Sequence, residues 1–167
     1  FVFLSTGIVY ASDIPSAAED TPPRDYGDPV RVETYYDEES DAFITKRFYV
    51  SPIVSNNSLE RWTTSAWFKE EDTWTSANGE GSSINYYAEG RFAWGDGDII
   101  VTLPEGGNDY TGSYLKIYDE DVTSGTKKPL IGKKYAYVTY KFKTKHTLGS
   151  TNSFSVTVKV DTEGNQL

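Results

Sequence analysis

INYYAEGRFAWGDGDIIVTL, residues 84–103, decides the fold. Asp96-Gly97 sits at its centre, and Asp-Gly is the strongest two-residue hairpin signal because both central positions of the favoured turn need positive φ. Pairing outward from that turn sets Gly95 against Asp98, Trp94 against Ile99, Phe92 against Val101 and Gly90 against Leu103. The apolar sides of the two arms then coincide. A slip of one residue would set them against each other. Turn chemistry and side-chain pattern agree, so a β-hairpin is predicted here.

The same period of two runs along the rest of the chain. Val30, Val32, Thr34 and Tyr36 alternate with Arg31, Glu33 and Tyr35. Ile44, Phe48 and Val50 share a side that Lys46 interrupts, with Phe43 and Tyr49 on the other, so a bulge or a two-sided strand is expected. Trp62, Thr64, Ala66 and Phe68 form a further face, and Leu115 and Ile117 a short one. Ala136, Val138, Tyr140 and Phe142, then Phe154, Val156, Val158 and Val160, complete the set. No stretch sustains a 3.6-residue period. Repeated alternation between turn residues predicts an all-β, antiparallel, two-layer β-sandwich of about eight strands, with a small β-barrel as the alternative. Asp119–Lys133 reads as a long crossing between sheets.

Bulk composition narrows the function classes. Hydrophobic residues make up 37% of the 167 residues and aromatics 15%, which suits a folded domain. A net charge of −9 argues against nucleic acid and anionic membranes, since phosphate binding draws on a basic surface. With no cysteine there is no disulfide framework, thiol nucleophile or Cys-type zinc site.

Residues 1–11, FVFLSTGIVYA, form an uncharged apolar run. It is too short to span a bilayer, which takes about 20 residues. It reads as the remnant of a secretory signal, ending in the small-x-small pattern Val9-Tyr10-Ala11. A core or edge strand is the competing reading. Residues 12–28 are proline-containing and lack apolar periodicity, as in a flexible linker, which leaves residues 29–167 as the domain. The expected location is extracellular, with no membrane insertion after processing. Freedom from cysteine makes a Gram-positive bacterium the expected source. Asn56-Asn57-Ser58 fits a glycosylation acceptor, relevant only in a eukaryotic secretory route.

Chemistry-bearing motifs are few. His146 is the single histidine and falls in a hairpin loop, and no nucleophile elbow, zincin motif or phosphate loop occurs. Acidic clusters at Asp37–Asp41, Glu70–Asp72 and Asp119–Asp121 read as polar loops at strand ends. Asp119 and Asp121 begin like a calcium loop. Gly125 then falls one place late, and Leu130 stands where the closing acid belongs, so calcium there is a weak alternative to no cofactor. Asp96 and Asp98 are explained by the hairpin. Paired acids in the manner of a glycoside hydrolase are the third-ranked reading, behind a non-enzymatic binding module. Aromatics on the polar side of strands are more telling. Tyr35, Trp67, Tyr87, Tyr114, Tyr118, Tyr135 and Tyr137 are predicted to point outward. Trp67, Tyr87, Tyr135 and Tyr137 are the candidate ligand-binding residues, since flat rings stack on sugars at low entropic cost. Cross-strand packing on a solvated face explains the same rings without a ligand. The expected function is an exported binding module for carbohydrate. A structural or protein-interaction domain pairing through a sheet edge is the alternative.

Overall fold

The computed structural model describes residues 24–55, 62–77, 82–111, 115–146, 149 and 151–167. The apolar run at residues 1–11, Tyr114 and Asn56-Asn57-Ser58 lie outside the described residues, as does the side chain of His146. The strands are β1 (Arg31–Asp37), β2 (Ala42–Val50), β3 (Val54–Ser55), β4 (Thr64–Ser76) and β5 (Ser83–Gly95), followed by β6 (Asp98–Thr111), β7 (Leu115–Lys127), β8 (Tyr135–His146) and β9 (Thr151–Asp161). They form two antiparallel sheets packed face to face without closing into a barrel, so the protein is an all-β sandwich. The larger sheet has the order β1-β2-β4-β5-β6, with the short β3 also on β4, and the smaller is β7-β8-β9.

The decisive hairpin forms as the sequence dictates. Asp96 and Gly97 take φ of 50° and 72°, and Gly95–Asp98, Trp94–Ile99 and Phe92–Val101 pair. The expected Gly90–Leu103 pair does not form. Register shifts between Arg91–Thr102 and Glu89–Glu105, so Leu103 and Pro104 together stand opposite Gly90. Pro104 has no N–H to give the ladder, and a bulge absorbs it. Leu103 takes φ of 52° there and is exposed.

The core lies between the sheets. β5 contributes Ile84, Tyr86, Ala88, Phe92 and Trp94, β8 contributes Ala136, Val138, Tyr140 and Phe142, and β9 contributes Val156, Val158 and Val160, all buried. Phe142 stacks on Phe154 at 5.0 Å and meets Tyr86 edge-on at 5.3 Å, which locks the sheets together at one end.

Three further expectations are corrected. Asp119–Lys133 is not a long crossing: β7 runs through Lys127, and Asp119 and Glu120 form a bulge opposite Phe142. On β1, Arg31, Glu33 and Tyr35 rather than Val32 and Tyr36 share the side of the buried Phe48 and Ile44 across the ladder. Alternation could not settle that strand, because β1 lies beyond the edge of the smaller sheet and both of its faces are wet. Finally, Glu70-Glu71-Asp72 is not a loop but the middle of β4, where Glu70 and Asp72 are buried.

The smaller sheet ends at β9, while the larger one continues beyond it as β2 and β1. Residues 162–167 turn back onto the edge of β9 away from β8. Asp161 Oδ1 accepts from the amides of Glu163 (2.8 Å) and Asn165 (2.9 Å), and Gly164 takes φ of 81°. Gln166 then stands opposite Val160, and the Leu167 amide donates to the Lys159 carbonyl at 3.0 Å. Burial pushes the Asp161 carboxyl up, but these amides and Lys133 outweigh it and hold the group below its ordinary range.

Candidate functional site

The four candidate aromatics divide between the two outer faces of the sandwich. Trp67 and Tyr87 lie on the larger sheet, Tyr135 and Tyr137 on the smaller.

On the larger sheet the expected exposure of Trp67 is wrong. Its ring lies on the outer side of β4 but is only 2% exposed. The cover comes from residues 24–28, the end of the predicted linker, which lie across the sheet. The Arg24 guanidinium sits 3.9 Å from the centre of the Trp67 ring. Arg24 grips both oxygens of Glu105 (2.8 and 3.0 Å) and one of Glu89 (3.1 Å), and the Tyr26 hydroxyl donates to Glu89 at 2.8 Å. Glu89 and Glu105 are direct cross-strand neighbours, an arrangement that repels without a cation between them. Burial raises the Glu89 carboxyl, whereas the Arg24 fork lowers that of Glu105. A Ser51 hydroxyl accepts the Trp67 amide at 2.9 Å where β2 stops before Pro52, so the backbone here is fixed too. Trp67 is thus a structural ring under a charged clamp. Tyr87 is half-buried beside it, with Lys69 Nζ 4.7 Å from its ring centre.

The smaller sheet is different. Its outer face carries Tyr135, Tyr137, Thr139 and Lys141 from β8, Lys127 and Thr123 from β7, and Lys159 and Thr157 from β9, around a shallow hollow of about 400 Å³. Tyr135 and Tyr137 share that face because they are two apart on one strand. Gly125, opposite Tyr137, leaves the ring room to lie flat: a Cβ there would stand 3.4 Å from the tyrosine oxygen. Lys127 Nζ lies 5.1 Å from the Tyr137 ring centre, and Lys159 Nζ 5.9 Å from that of Tyr135. Register places Lys116, Lys143 and Lys145 on the same face, and all are exposed. A chain of net charge −9 therefore gathers lysines on one wall. The sequence places Lys141 beside the two tyrosines on one strand face, but the other lysines around them are not among its candidates. Their signal was Lys141, Lys143 and Lys145 at alternate positions of one strand.

The acidic bulge on β7 holds its groups within the protein. Asp119 pairs with Lys143 at 2.9 Å, and Glu120 accepts from the Tyr140 hydroxyl at 2.5 Å and from Asn108 at 2.7 Å. Asp121 stands opposite Lys141. Among the described residues, no three His, Cys, Asp or Glu side chains gather where they would hold a metal ion. No protein-family model, curated protein or solved structure matches this chain.

Proposed function

We propose that the protein is an exported, non-catalytic binding module whose outer β7-β8-β9 face takes an acidic glycan. The observation that carries this reading is the pair Tyr135 and Tyr137 ringed by Lys127, Lys141 and Lys159 on an otherwise acidic chain. Tyrosine rings supply flat apolar contact for the faces of sugars, and ammonium groups supply point charges for carboxylate or sulfate. The threonines between them add hydroxyl donors and acceptors. A shallow, open hollow suits a chain lying along the sheet better than a small molecule held on all sides. Duplex DNA, with about one charge per 1.7 Å of its axis, would meet much stronger repulsion from the rest of the surface than a polysaccharide carrying one carboxylate per sugar. Export rests on the apolar run at residues 1–11.

Titration of the protein with alginate, a carboxylated polysaccharide, tests the reading, with dextran and duplex DNA as counter-probes. Alginate is expected to bind and dextran and DNA are not. Tyr137→Ala should weaken alginate binding about tenfold, the worth of one aromatic contact with its neighbouring charge. Lys141→Ala should weaken it several-fold and flatten its salt dependence. Equal binding of dextran, or alginate affinity unmoved by both substitutions, would remove the proposal.

A further inference from the structure

A cleft runs along the edge of β9 away from β8, where no strand pairs with it among the described residues beyond the bridge to Gln166 and where the larger sheet extends beyond the smaller. It consists of two adjoining hollows of about 580 and 400 Å³ that share Lys46 and Ser155. One wall is the edge of β9 and the floor is the inward side of β1 and β2. Leu167 already stands at one end of it, because residues 165–167 occupy the first rungs beside Lys159 and Val160. Residues 159 and 161 turn their backbone groups to that edge. By strand alternation Thr157, Ser155 and Ser153 do the same, while Phe154, Val156 and Val158 bond toward β8.

The floor holds a group that lacks a partner. Asp72 is 2% exposed, and its Oδ2 lies 3.3 Å from Lys46 Nζ. Its Oδ1 has no hydrogen-bond partner, yet Asp72 lines the larger hollow. Asp37 and Glu39 line it as well, with Lys46 as the single cation, so this end is acidic. Trp74 and Phe154 provide an apolar patch beside them, 6.2 Å apart and edge-on.

We infer that this cleft is a second binding site, which takes an extended, basic peptide segment of a partner protein as an added antiparallel strand on β9. The edge amides and carbonyls of Ser153, Ser155 and Thr157 supply the ladder, in line with the rungs that Gln166 and Leu167 have begun. Side chains at alternate positions of the incoming strand face the floor. A lysine or arginine among them donates to Asp72 Oδ1, and an apolar residue two positions away packs on Trp74 and Phe154. Such an occupant gives the smaller sheet a further strand over β2 and covers an edge that otherwise invites mispairing.

Synthetic nonapeptides of alternating Thr and Val test this, with Lys, Gln or Glu replacing one central Val. Amide hydrogen exchange and shift changes of the isotope-labelled protein are the readouts. The Lys peptide should protect the amides of Ser153, Ser155 and Thr157, and the Glu peptide should bind at least tenfold more weakly. Asp72→Asn should abolish that tenfold preference. Ser155→Pro should abolish binding while preserving the fold, because it removes an edge donor and leaves the β8 ladder whole. Absence of protection at millimolar peptide would overturn the inference. So would a Lys-over-Glu preference that survives Asp72→Asn. Concentration-dependent protection of the same amides in the protein alone would assign the cleft to a second copy, and would equally overturn it.

Discussion

Lys46→Met is expected to cost about 3 kcal/mol of folding stability at neutral pH, the low end for breaking a buried ion pair because water still reaches the lysine. Lys46 projects from the inward side of β2 between two acids of β4, 3.0 Å from Glu70 and 3.3 Å from Asp72. Both acids are almost fully buried, and burial raises both carboxyls above their ordinary range even with the lysine present. Burial lowers the Lys46 ammonium, but attraction to Asp72 and Glu70 outweighs it and the net direction is up. Arg31 adds a weaker attraction for Glu70. Removing the cation leaves two carboxylates facing each other with only the weaker pull of Arg31 on Glu70 against them.

The sign of the pH effect follows. A carboxyl whose folded pKa lies above its unfolded value binds more protons when folded, so stability falls as pH rises through the window between the two. In Lys46→Met both folded values move higher and the window widens. The deficit relative to the parent protein should therefore be largest at neutral pH and shrink as the pH falls into the ordinary carboxylate range. Lys46 acts at the other end: its support is full below the ordinary lysine value and fades as alkali removes the proton. Urea denaturation of both proteins between pH 4 and 8 measures the difference. The triple variant Lys46→Met, Glu70→Gln, Asp72→Asn should recover most of the loss at neutral pH. A deficit that is flat across that range would mean that lost packing of the lysine stem, and not the unpaired acids, is responsible.

The inward position of those acids is legible in the sequence. Ala66 and Phe68 set the inward period of β4, and two more steps lead to Glu70 and Asp72. Lys46 breaks the apolar side of β2 in the same way. Charges of opposite sign at inward positions of neighbouring strands pair, and that was the available signal. The hairpin at residues 94–99 was legible because its turn demands particular residues and its arms have one apolar side each. The same reading fails at Gly90 because it carries the regular count one rung on to Leu103, where the ladder already bulges ahead of Pro104, which cannot donate. Trp67 failed for another reason. Its cover comes from Arg24 and Tyr26, remote in sequence and without periodicity, and no rule of alternation reports which face a distant segment lies across. Tyr135 and Tyr137 were read correctly as outward because nothing crosses their sheet among the described residues. The sequence offers pairing through a sheet edge as an alternative but does not place it at β9, since the cleft there arises from the different widths of the two sheets.

Gly106→Ala and Gly107→Ala, adjacent substitutions on β6, are expected to differ in effect by about 3 kcal/mol, at the upper end of the usual cost of overpacking. Neither glycine has positive φ, so backbone strain does not separate them. A Cβ on Gly106 would point inward and stand 2.5 Å from Cβ and 2.7 Å from Cγ of Tyr140 on the facing sheet. Those atoms are next to the backbone of β8 and cannot swing aside. The Tyr140 ring is also stacked on Phe142 at 5.3 Å, and its hydroxyl is tied to Glu120. The sheets would have to move apart, and close-packed interiors resist that. A Cβ on Gly107 would point outward and meet Cε1 of Tyr87 at 3.1 Å and its hydroxyl oxygen at 3.2 Å. That is the far end of a half-buried side chain, which gives way by a few tenths of an ångström. Replacing glycine also narrows the unfolded ensemble, which stabilises by about 0.4–1 kcal/mol where the fold admits a side chain. Gly107→Ala should therefore be close to neutral. Gly106→Ala should lower the melting temperature by well over 5 °C, at roughly 2–4 °C per kcal/mol for a domain of this size. Thermal unfolding followed by near-ultraviolet circular dichroism reads both, since the tyrosine and tryptophan signals report the packed core. Equal stability of the two variants would mean that β6 does not press against Tyr140, and that the sheets face each other in some other register.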